Sequence, residues 1–212
     1  WHQSRHSRNE TGGLSHRRRM KIGITGGIGT GKSYVCRLLK QRGIEVYDCD
    51  EAAKRLIRTS PIIYKGLCQL IGPDAFLCQT DKDEHTLNKA AVTRFLLQSD
   101  THAQAINDIV HPAVFRDFEE SGIQWMESAI LFESGINRLV DKVVMVSAPD
   151  EVRINRVMSR DHISREKVMQ WMQRQWSQEK VRQLSDFEIV NDGIQPLEPQ
   201  IETIIKQLAY KS

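Results

Sequence analysis

The stretch MKIGITGGIGTGKSY, residues 20–34, decides the fold of this chain. Ile22–Thr25 is a short apolar run that predicts a buried strand, and four of the next six residues are glycines. A lysine, a hydroxyl residue and a helical pattern follow, which together predict a helix over Lys32–Gln41. Glycine loses more conformational entropy on folding than other residues, so this density of glycines indicates a backbone that something approaches closely.

The segment Gly26-x-x-x-x-Gly31-Lys32-Ser33 fits the P-loop pattern in a strand–loop–helix context. Such glycines let backbone N–H groups approach phosphate oxygens, and the helix N-terminus adds partial positive charge. Lys32 supplies a charge between the β- and γ-phosphates, and the Ser33 hydroxyl is a hard ligand for Mg²⁺. The alternative is a glycine-rich turn without a ligand, since a bare match of eight residues occurs by chance, but the strand–loop–helix setting favours a nucleotide site. The guanine-reading tetrapeptide Asn-Lys-x-Asp of GTPases is absent from the sequence.

The remainder of the chain alternates between predicted strands and helices. Further strands are predicted at residues 44–47, 130–132, 142–147 and 187–190, and helices at about 51–58, 150–160 and 197–208. Short apolar strands separated by helices predict an α/β fold of the P-loop NTPase type, with a parallel sheet flanked by helices. Apolar positions repeat at three and four across residues 61–122, which predicts a helical insertion, and the charged stretch 161–185 is also predicted to be helical.

Residues 1–19 carry five arginines and one glutamate, in a polar and non-periodic sequence. They predict a disordered leader, with a nucleic-acid-binding arm or a transit peptide as the alternatives. Without them the chain has slightly more acids than bases, so its net charge of +3 does not indicate a polyanionic partner. No window approaches the roughly 20 apolar residues of a membrane span. We therefore expect a cytoplasmic protein with free buried cysteines and neither a nucleic-acid nor a membrane partner.

Two carboxylates, Asp48 and Asp50, follow the second predicted strand. In a parallel sheet, the carboxyl end of a strand beside the P-loop strand opens onto the same crevice. Residues two apart in an extended chain point to the same side. One carboxylate could accept a proton from an attacking hydroxyl while the other orients substrate or metal-bound water. An equally supported alternative is that one of them caps the following helix, and Asp50 is well placed to do so.

Arginines recur at intervals of three and four, at Arg153, Arg156 and Arg160, and therefore share one face of a predicted helix. A solvated face is the ordinary interpretation. The functional one is a lid that closes over the triphosphate and neutralises charge on the transferred group. His111 precedes a proline after an apolar helix, where a histidine is more often structural than catalytic.

Six motifs occur in one order: GGIGTGKS, GIEVYDCDEAAKRL, IVHPAV, ILFES, RINRVMSRDHISREKVMQWMQRQ and DFEIVNDG. Together they resemble the dephospho-coenzyme A kinase family over nearly all of residues 20–208. The resemblance implies a kinase core at 20–60 and 123–212, a lid at about 161–185 and an acceptor-binding insertion at 61–122. It implies phosphorylation of the ribose 3′-hydroxyl of dephospho-coenzyme A by ATP and Mg²⁺, the last step of coenzyme A synthesis. Another P-loop kinase for nucleosides or small molecules is the alternative.

The resemblance also implies roles for individual residues. Asp50 becomes the catalytic base, and Lys32 and Arg160 stabilise the transferred group. ATP is expected on Gly26, Gly27, Ile28, Gly29, Thr30, Gly31, Lys32, Ser33, Tyr34, Arg156 and Asn191, and Ser33 is the expected metal ligand. The acceptor is expected on Asp48, Asp50, His111 and Glu133, the last ending the third strand near the metal. We expect a monomer or a weak homo-oligomer.

Overall fold

The fold is built on one parallel sheet. The computed structural model describes residues 18–78 and 84–210, so the predicted leader lies almost entirely outside the described residues. The strands are Ile22–Thr25 (β1), Val46–Asp48 (β2), Trp125–Glu127 (β3), Lys142–Ser147 (β4) and Phe187–Val190 (β5). Their order across the sheet is β2-β3-β1-β4-β5, and every neighbouring pair is parallel. This confirms the predicted P-loop type of α/β fold.

Helices cover the sheet and connect most successive strands, whereas turns and the short 3-10 helix Ile136–Leu139 connect β3 to β4. Their bounds are Lys32–Gln41 (α1), Cys49–Thr59 (α2), Pro61–Ile71 (α3), Lys89–Gln98 (α4), His102–Ser121 (α5), Asp150–Asp161 (α6), Arg165–Gln173 (α7), Gln178–Leu184 (α8) and Leu197–Ala209 (α9). Serine or asparagine side chains cap the N-termini of α3, α4, α7 and α8 by accepting a backbone N–H. No helix in the described part of the chain is both long and apolar enough to cross a membrane.

Hydrophobic side chains cover both faces of the sheet. On one face, the strands pack against α1 and α9 through residues such as Val35, Leu39 and Ile201. On the other face they pack against α2, α3 and α5, where Val114 and Phe118 are almost fully buried. The insertion predicted at 61–122 holds α3, α4 and α5, and two of these helices therefore share a core with the sheet rather than forming a detached unit. Its acceptor-binding role stays a prediction.

The strand boundaries were predicted unevenly. The predictions for β1, β4 and β5 are confirmed to the residue, whereas the second strand is shifted from 44–47 to Val46–Asp48. The third was wrong, because residues 130–132 form turns and the strand is Trp125–Glu127. Serine hydroxyls explain the turn: Ser128 Oγ accepts from the N–H of Ile130, and Ser134 Oγ donates to the Ile130 carbonyl oxygen.

Candidate active site

The P-loop connects β1 to α1 through backbone conformations that glycine adopts readily. Gly29 and Gly31 have positive φ values of 77° and 82°, the left-handed region that is costly for residues with a Cβ. A Cβ at Gly31 would lie 2.2 Å from Nδ2 of Asn191, and one at Gly29 would lie 2.6 Å from the carbonyl oxygen of Arg153. These two glycines are therefore required by backbone conformation and by the close approach of neighbouring chain.

Side chains from later elements hold the outer side of this loop. The Asn191 amide donates to the Thr30 carbonyl oxygen at 2.9 Å, and Arg156 donates to the carbonyl oxygens of Gly29, Thr30 and Asn191. The Thr30 hydroxyl is buried and donates to the Gly27 carbonyl oxygen at 2.8 Å. Carbonyl groups are therefore tied outward, which leaves backbone N–H groups of the loop for an anion.

Lys32, the first residue of α1, is paired with a carboxylate. Its Nζ lies 2.5 Å from Oε2 of Glu127, and both side chains are about six-sevenths buried, at 14% and 15% exposure. The Cys36 thiol donates to the same oxygen at 3.5 Å. Burial raises the pKa of Cys36 to about 12, and the charge of Glu127 adds to the effect. Glu127 thus fixes the position of the lysine ammonium at the floor of the P-loop.

A cavity of about 410 Å³ opens above the P-loop. Besides the loop, its walls include Ala129 after β3, Arg156, Val157 and Arg160 of α6, and Gln175 of the predicted lid. Lys32 and the exposed Ser33 also line it. Tyr34 does not: it is 47% exposed on the outside of α1, with the Arg37 guanidinium 5.3 Å from its ring.

Arg160 lies at the cavity wall near the end of α6. Its guanidinium donates two hydrogen bonds to the neighbouring Asp161 carboxylate, each of 2.8 Å, and these bonds lower the pKa of Asp161. Arg160 is exposed, whereas Arg153 on the same helix is buried and donates from Nε to the carbonyl oxygen of Ile28 at 2.9 Å. The three regularly spaced arginines therefore have different environments, and only Arg160 combines exposure with a cavity-lining position.

Asp48 and Asp50 occupy different elements. Asp48 ends β2 and its Oδ1 accepts from the N–H of Glu51, so it caps α2; the alternative that Asp50 is the cap is wrong. Asp50 lies in the first turn of α2, is exposed, and has no side-chain hydrogen bond or ion pair within residues 18–78 and 84–210. The predicted extended Asp-x-Asp segment is therefore wrong, because the helix begins at Cys49.

The sheet register relates these carboxylates to the P-loop lysine. The sequence predicted that the strand carrying Asp48 is the immediate neighbour of the P-loop strand. This prediction is wrong, because β3 lies between β2 and β1. Glu127 is the register partner of both Asp48 and Ile24. Neighbouring strands are about 4.8 Å apart, so Asp48, Glu127 and the start of the P-loop follow one another along a single edge. Asp48 also raises the pKa of Cys36 through its charge.

Two further predicted acceptor residues lie away from the P-loop cavity walls. His111 is half-buried in α5, and its Nδ1 is buried with no hydrogen-bond partner in the described part of the chain. Burial lowers the pKa of His111, and the nearby Arg138 lowers it further. Glu133 does not end a strand, because β3 stops six positions earlier. It lines a small cavity behind the loop with Gly27, Met145 and Trp176.

Three residues of this site were missed by the sequence interpretation. Glu127 was hidden because its strand was placed at 130–132, although an acidic residue after the apolar pair Trp125-Met126 was available as a signal. Arg153 was assigned to a shared arginine face and not to the P-loop. Gln175, whose Oε1 accepts from the N–H of Ile28 at 2.9 Å, gave no distinct signal because glutamine is common in charged helical stretches.

The arrangement is suited to binding a polyphosphate. Backbone N–H groups, the N-terminus of α1 and the Lys32 ammonium converge on one cavity, and Arg160 adds a cation at its wall. Within the described ranges, no group of three or more His, Cys, Asp or Glu side chains could hold a metal ion by itself. The protein therefore supplies anion-binding groups and isolated carboxylates, the parts that phosphoryl transfer requires.

Comparison with known proteins agrees with this chemistry. The family model described as dephospho-CoA kinase matches residues 20–196. A dephospho-CoA kinase from Bacteroides fragilis is 43% identical over 199 residues, covering 91% of this chain and 94% of the relative. One from Porphyromonas gingivalis is 38% identical over 200 residues, covering 90% and 95%. The crystal structure of TT1252 from Thermus thermophilus superposes with a TM-score of 0.71 at 29% identity, covering 91% and 97%. The chain is therefore a kinase that belongs to the dephospho-CoA kinase family.

Proposed function

We propose that this protein transfers the γ-phosphoryl group of ATP to the ribose 3′-hydroxyl of dephospho-coenzyme A and so produces coenzyme A. The observation that carries the proposal is the cavity that joins the P-loop, Lys32 and Arg160 in a chain of this family. The reaction needs a triphosphate held in line with an alcohol, and the protein contributes mainly position and charge. A cytoplasmic location and a monomeric or weakly associated state stay predictions.

The nucleotide is proposed to bind along the P-loop. Residues 26–34 surround the phosphates, and backbone N–H groups are supplied by members other than Ile28, Thr30 and Tyr34, whose N–H groups donate to Gln175, Gly27 and Gly31. The glycines allow the close approach that phosphate oxygens need. Thr30 is a weaker proposed contact, because its N–H and its hydroxyl both already donate to the carbonyl oxygen of Gly27. Arg156 and Asn191 act indirectly by fixing the carbonyl side of the loop. Tyr34, outside the cavity, is the weakest of the proposed contacts.

A magnesium ion is proposed to accompany the nucleotide. The exposed Ser33 hydroxyl lines the cavity and is the oxygen ligand expected from the P-loop, and the phosphates and water complete such a site. When bound, this ion neutralises charge on the phosphate oxygens. Glu127 offers a second oxygen donor at the same edge, since it already lies against Lys32.

Asp50 is proposed as the base for the 3′-hydroxyl. Its carboxylate is exposed and makes no hydrogen bond or ion pair within the described residues, whereas Oδ1 of Asp48 accepts a hydrogen bond as the cap of α2. A base must be free to reach the substrate proton, which favours Asp50 over Asp48. Asp48 keeps the start of α2 in place and so positions Asp50. His111 and Glu133 stay predicted acceptor contacts, with the orphaned Nδ1 of His111 as support for the former.

The test is a product assay with purified protein, ATP and Mg²⁺. Dephospho-coenzyme A is compared with adenosine, AMP and a panel of other nucleosides, and mass spectrometry with phosphatase digestion locates the new phosphate. We expect rapid formation of coenzyme A with phosphate on the ribose 3′-oxygen. Preferential phosphorylation of a nucleoside would replace this proposal by the alternative of another P-loop kinase.

A further inference from the structure

Gln175 provides a direct hydrogen bond between the predicted lid and the P-loop. It lies in the connection between α7 and α8, and its Oε1 accepts from the backbone N–H of Ile28 at 2.9 Å. Because a backbone N–H can only donate, the atom facing it has to be the amide oxygen and not the amide nitrogen. The orientation of the Gln175 amide follows from this bond.

Glycine at position 27 makes room for this contact. A Cβ there would lie 2.9 Å from Oε1 of Gln175 and 2.4 Å from Nη2 of Arg153. Arg153 donates to the carbonyl oxygen of Ile28, and Gln175 accepts from the N–H of Ile28. Both backbone groups of Ile28 are therefore bonded to side chains that follow β4 in the sequence. The first turn of the P-loop is therefore shaped by two polar side chains, one of them from the lid.

The neighbours of Gln175 hold its backbone in place. Its N–H donates to the carbonyl oxygen of Met172 at the end of α7. Trp176 stacks on Phe132 with ring centroids 6.3 Å apart and planes 5° apart, and the Lys180 ammonium lies 3.4 Å from the Trp176 ring centroid. A side chain held in this way is pre-organised, and pre-organised donors contribute most to stabilising developing charge.

The amide nitrogen of Gln175 has two N–H donors that the P-loop does not use. The residue lines the P-loop cavity together with Lys32 and Arg160, and its amide nitrogen donates no hydrogen bond to residues of the described ranges. The oxygen is used by the P-loop, so the two N–H donors are the groups of Gln175 still available to a ligand. A phosphate oxygen is the acceptor that the cations of this cavity would attract.

We propose that Gln175 joins the lid to the P-loop through its oxygen and donates from its amide nitrogen to the phosphoryl group in transfer. The inference rests on the proposed function and adds a catalytic role for a lid residue outside the P-loop and the arginines. The bond to Ile28 sets the position of the amide before the nucleotide binds. No further group is needed, because the amide nitrogen only donates hydrogen bonds to the phosphoryl group and exchanges no proton.

The test compares Gln175→Glu and Gln175→Met with wild type, with Gln173→Glu as the matched control. Glutamate keeps the acceptor for Ile28, loses both donors and adds a negative charge, whereas methionine loses acceptor and donors together. Gln173 is exposed at the end of α7, so its variant places the same charge on the lid away from the P-loop cavity. Coenzyme A formation is measured from pH 6 to pH 8.5, with the KM for ATP determined in parallel.

We expect kcat to fall about 100-fold in both Gln175 variants at pH 8, with the KM for ATP changed less than about threefold. The deficit of Gln175→Glu relative to wild type shrinks toward pH 6, because a protonated carboxyl regains one donor and nearby phosphate raises the pKa of such a group. The deficit of Gln175→Met stays constant with pH. Gln173→Glu behaves as wild type.

Wild-type kcat in Gln175→Met would overturn the inference, and so would a Gln175→Glu deficit that does not change with pH. The pH comparison is made within one folded protein, so it holds even where the methionine variant is poorly stable. A wild-type protein that fails to phosphorylate dephospho-coenzyme A would instead refute the proposed function, and the two failures are therefore distinguishable.

Discussion

The proposed donor and acceptor sides of the candidate site differ in how far the protein has already organised them. On the donor side, the P-loop is held by Asn191, Arg156, Arg153 and Gln175, and Lys32 is paired with Glu127. On the acceptor side, Asp50 is exposed with no side-chain partner in the described part of the chain. The protein itself shapes the phosphate-binding side, whereas the acceptor has to supply contacts of its own.

This difference follows from the chemistry of the two ligands. A polyphosphate needs hydrogen-bond donors that converge on one place. Their partial positive charges repel one another, so neighbouring groups must hold them in position before the ligand binds. A base needs a free carboxylate that can reach a hydroxyl proton. Substitutions of Lys32 and of the P-loop glycines should therefore disturb nucleotide binding, whereas substitution of Asp50 should affect turnover alone.

The largest effect is expected for Lys32→Met. Loss of the ammonium removes a cation from the cavity and leaves the Glu127 carboxylate unpaired at 15% exposure, so kcat/KM should fall about 1,000-fold. Lys40→Met, on the exposed side of the same helix, is the control. Steady-state kinetics of coenzyme A formation provide the measurement. A loss of less than tenfold would mean that the lysine does not contact the phosphates.

A smaller loss is expected for Gly31→Ala. The positive φ disfavours alanine, and the added Cβ would lie 2.2 Å from the Asn191 amide, which has to move and release the Thr30 carbonyl oxygen. The KM for ATP should rise about tenfold, equivalent to roughly 1.4 kcal/mol. Gly43→Ala is the matched control, because Gly43 has a similar φ of 79° with no atom within 4 Å of the added Cβ.

Both glycine variants should lower the free energy of unfolding by about 1–2 kcal/mol through the left-handed backbone, as urea denaturation would show. Nucleotide kinetics should change in Gly31→Ala alone. Equal changes in KM for the two variants would show that backbone strain, and not the displacement of Asn191, governs the affinity for ATP.

The smallest effect concerns cysteine chemistry at the P-loop floor. With a pKa of about 12, only about one Cys36 in ten thousand is a thiolate at pH 8, so alkylation should be slow. Cys78 is exposed, contrary to the expectation that all four cysteines are buried, and should react first. Peptide mass spectrometry after timed iodoacetamide labelling measures both rates. In Glu127→Gln, loss of the neighbouring negative charge should speed Cys36 labelling several-fold. An unchanged rate would show that the Glu127 carboxylate lies too far from the Cys36 thiol to raise its pKa.

The donor side was predictable from the sequence because its signals are local. A strand, a glycine-rich turn, a lysine and a helix start lie within 15 consecutive residues, and their order fixes the geometry. The continuous apolar runs of β1 and β4 were equally clear, since a strand buried on both faces carries no alternation.

The edge beside the P-loop was less predictable. Residues 130–132 are more apolar than Trp125-Met126-Glu127, and periodicity favoured the wrong segment. The deciding information was the pair of serines that closes a turn around residue 130, together with long-range pairing to β1 and β2. Because Glu127 ends that strand, its pairing with Lys32 could not be found before the strand was placed correctly.

The contacts of α6 and of the predicted lid could not be read from residue spacing. Arg153, Arg156 and Arg160 repeat regularly, but the first is buried against Ile28, the second braces two loops, and the third reaches the cavity wall. Which arginine is free depends on how α6 packs against the P-loop. The same packing brings Gln175 to Ile28 across 147 positions of sequence, a separation over which no pattern in the chain gives a signal.

The central claim is that Asp50 activates an acceptor hydroxyl beside a P-loop that is already formed. Single-turnover phosphorylation of dephospho-coenzyme A and equilibrium ATP binding, both measured on Asp50→Asn, test it most directly. We expect the transfer rate to fall about 100- to 1,000-fold while the Kd for ATP stays within about twofold of wild type. A transfer rate equal to that of wild type would contradict the claim, because no free carboxylate would then be needed at that position.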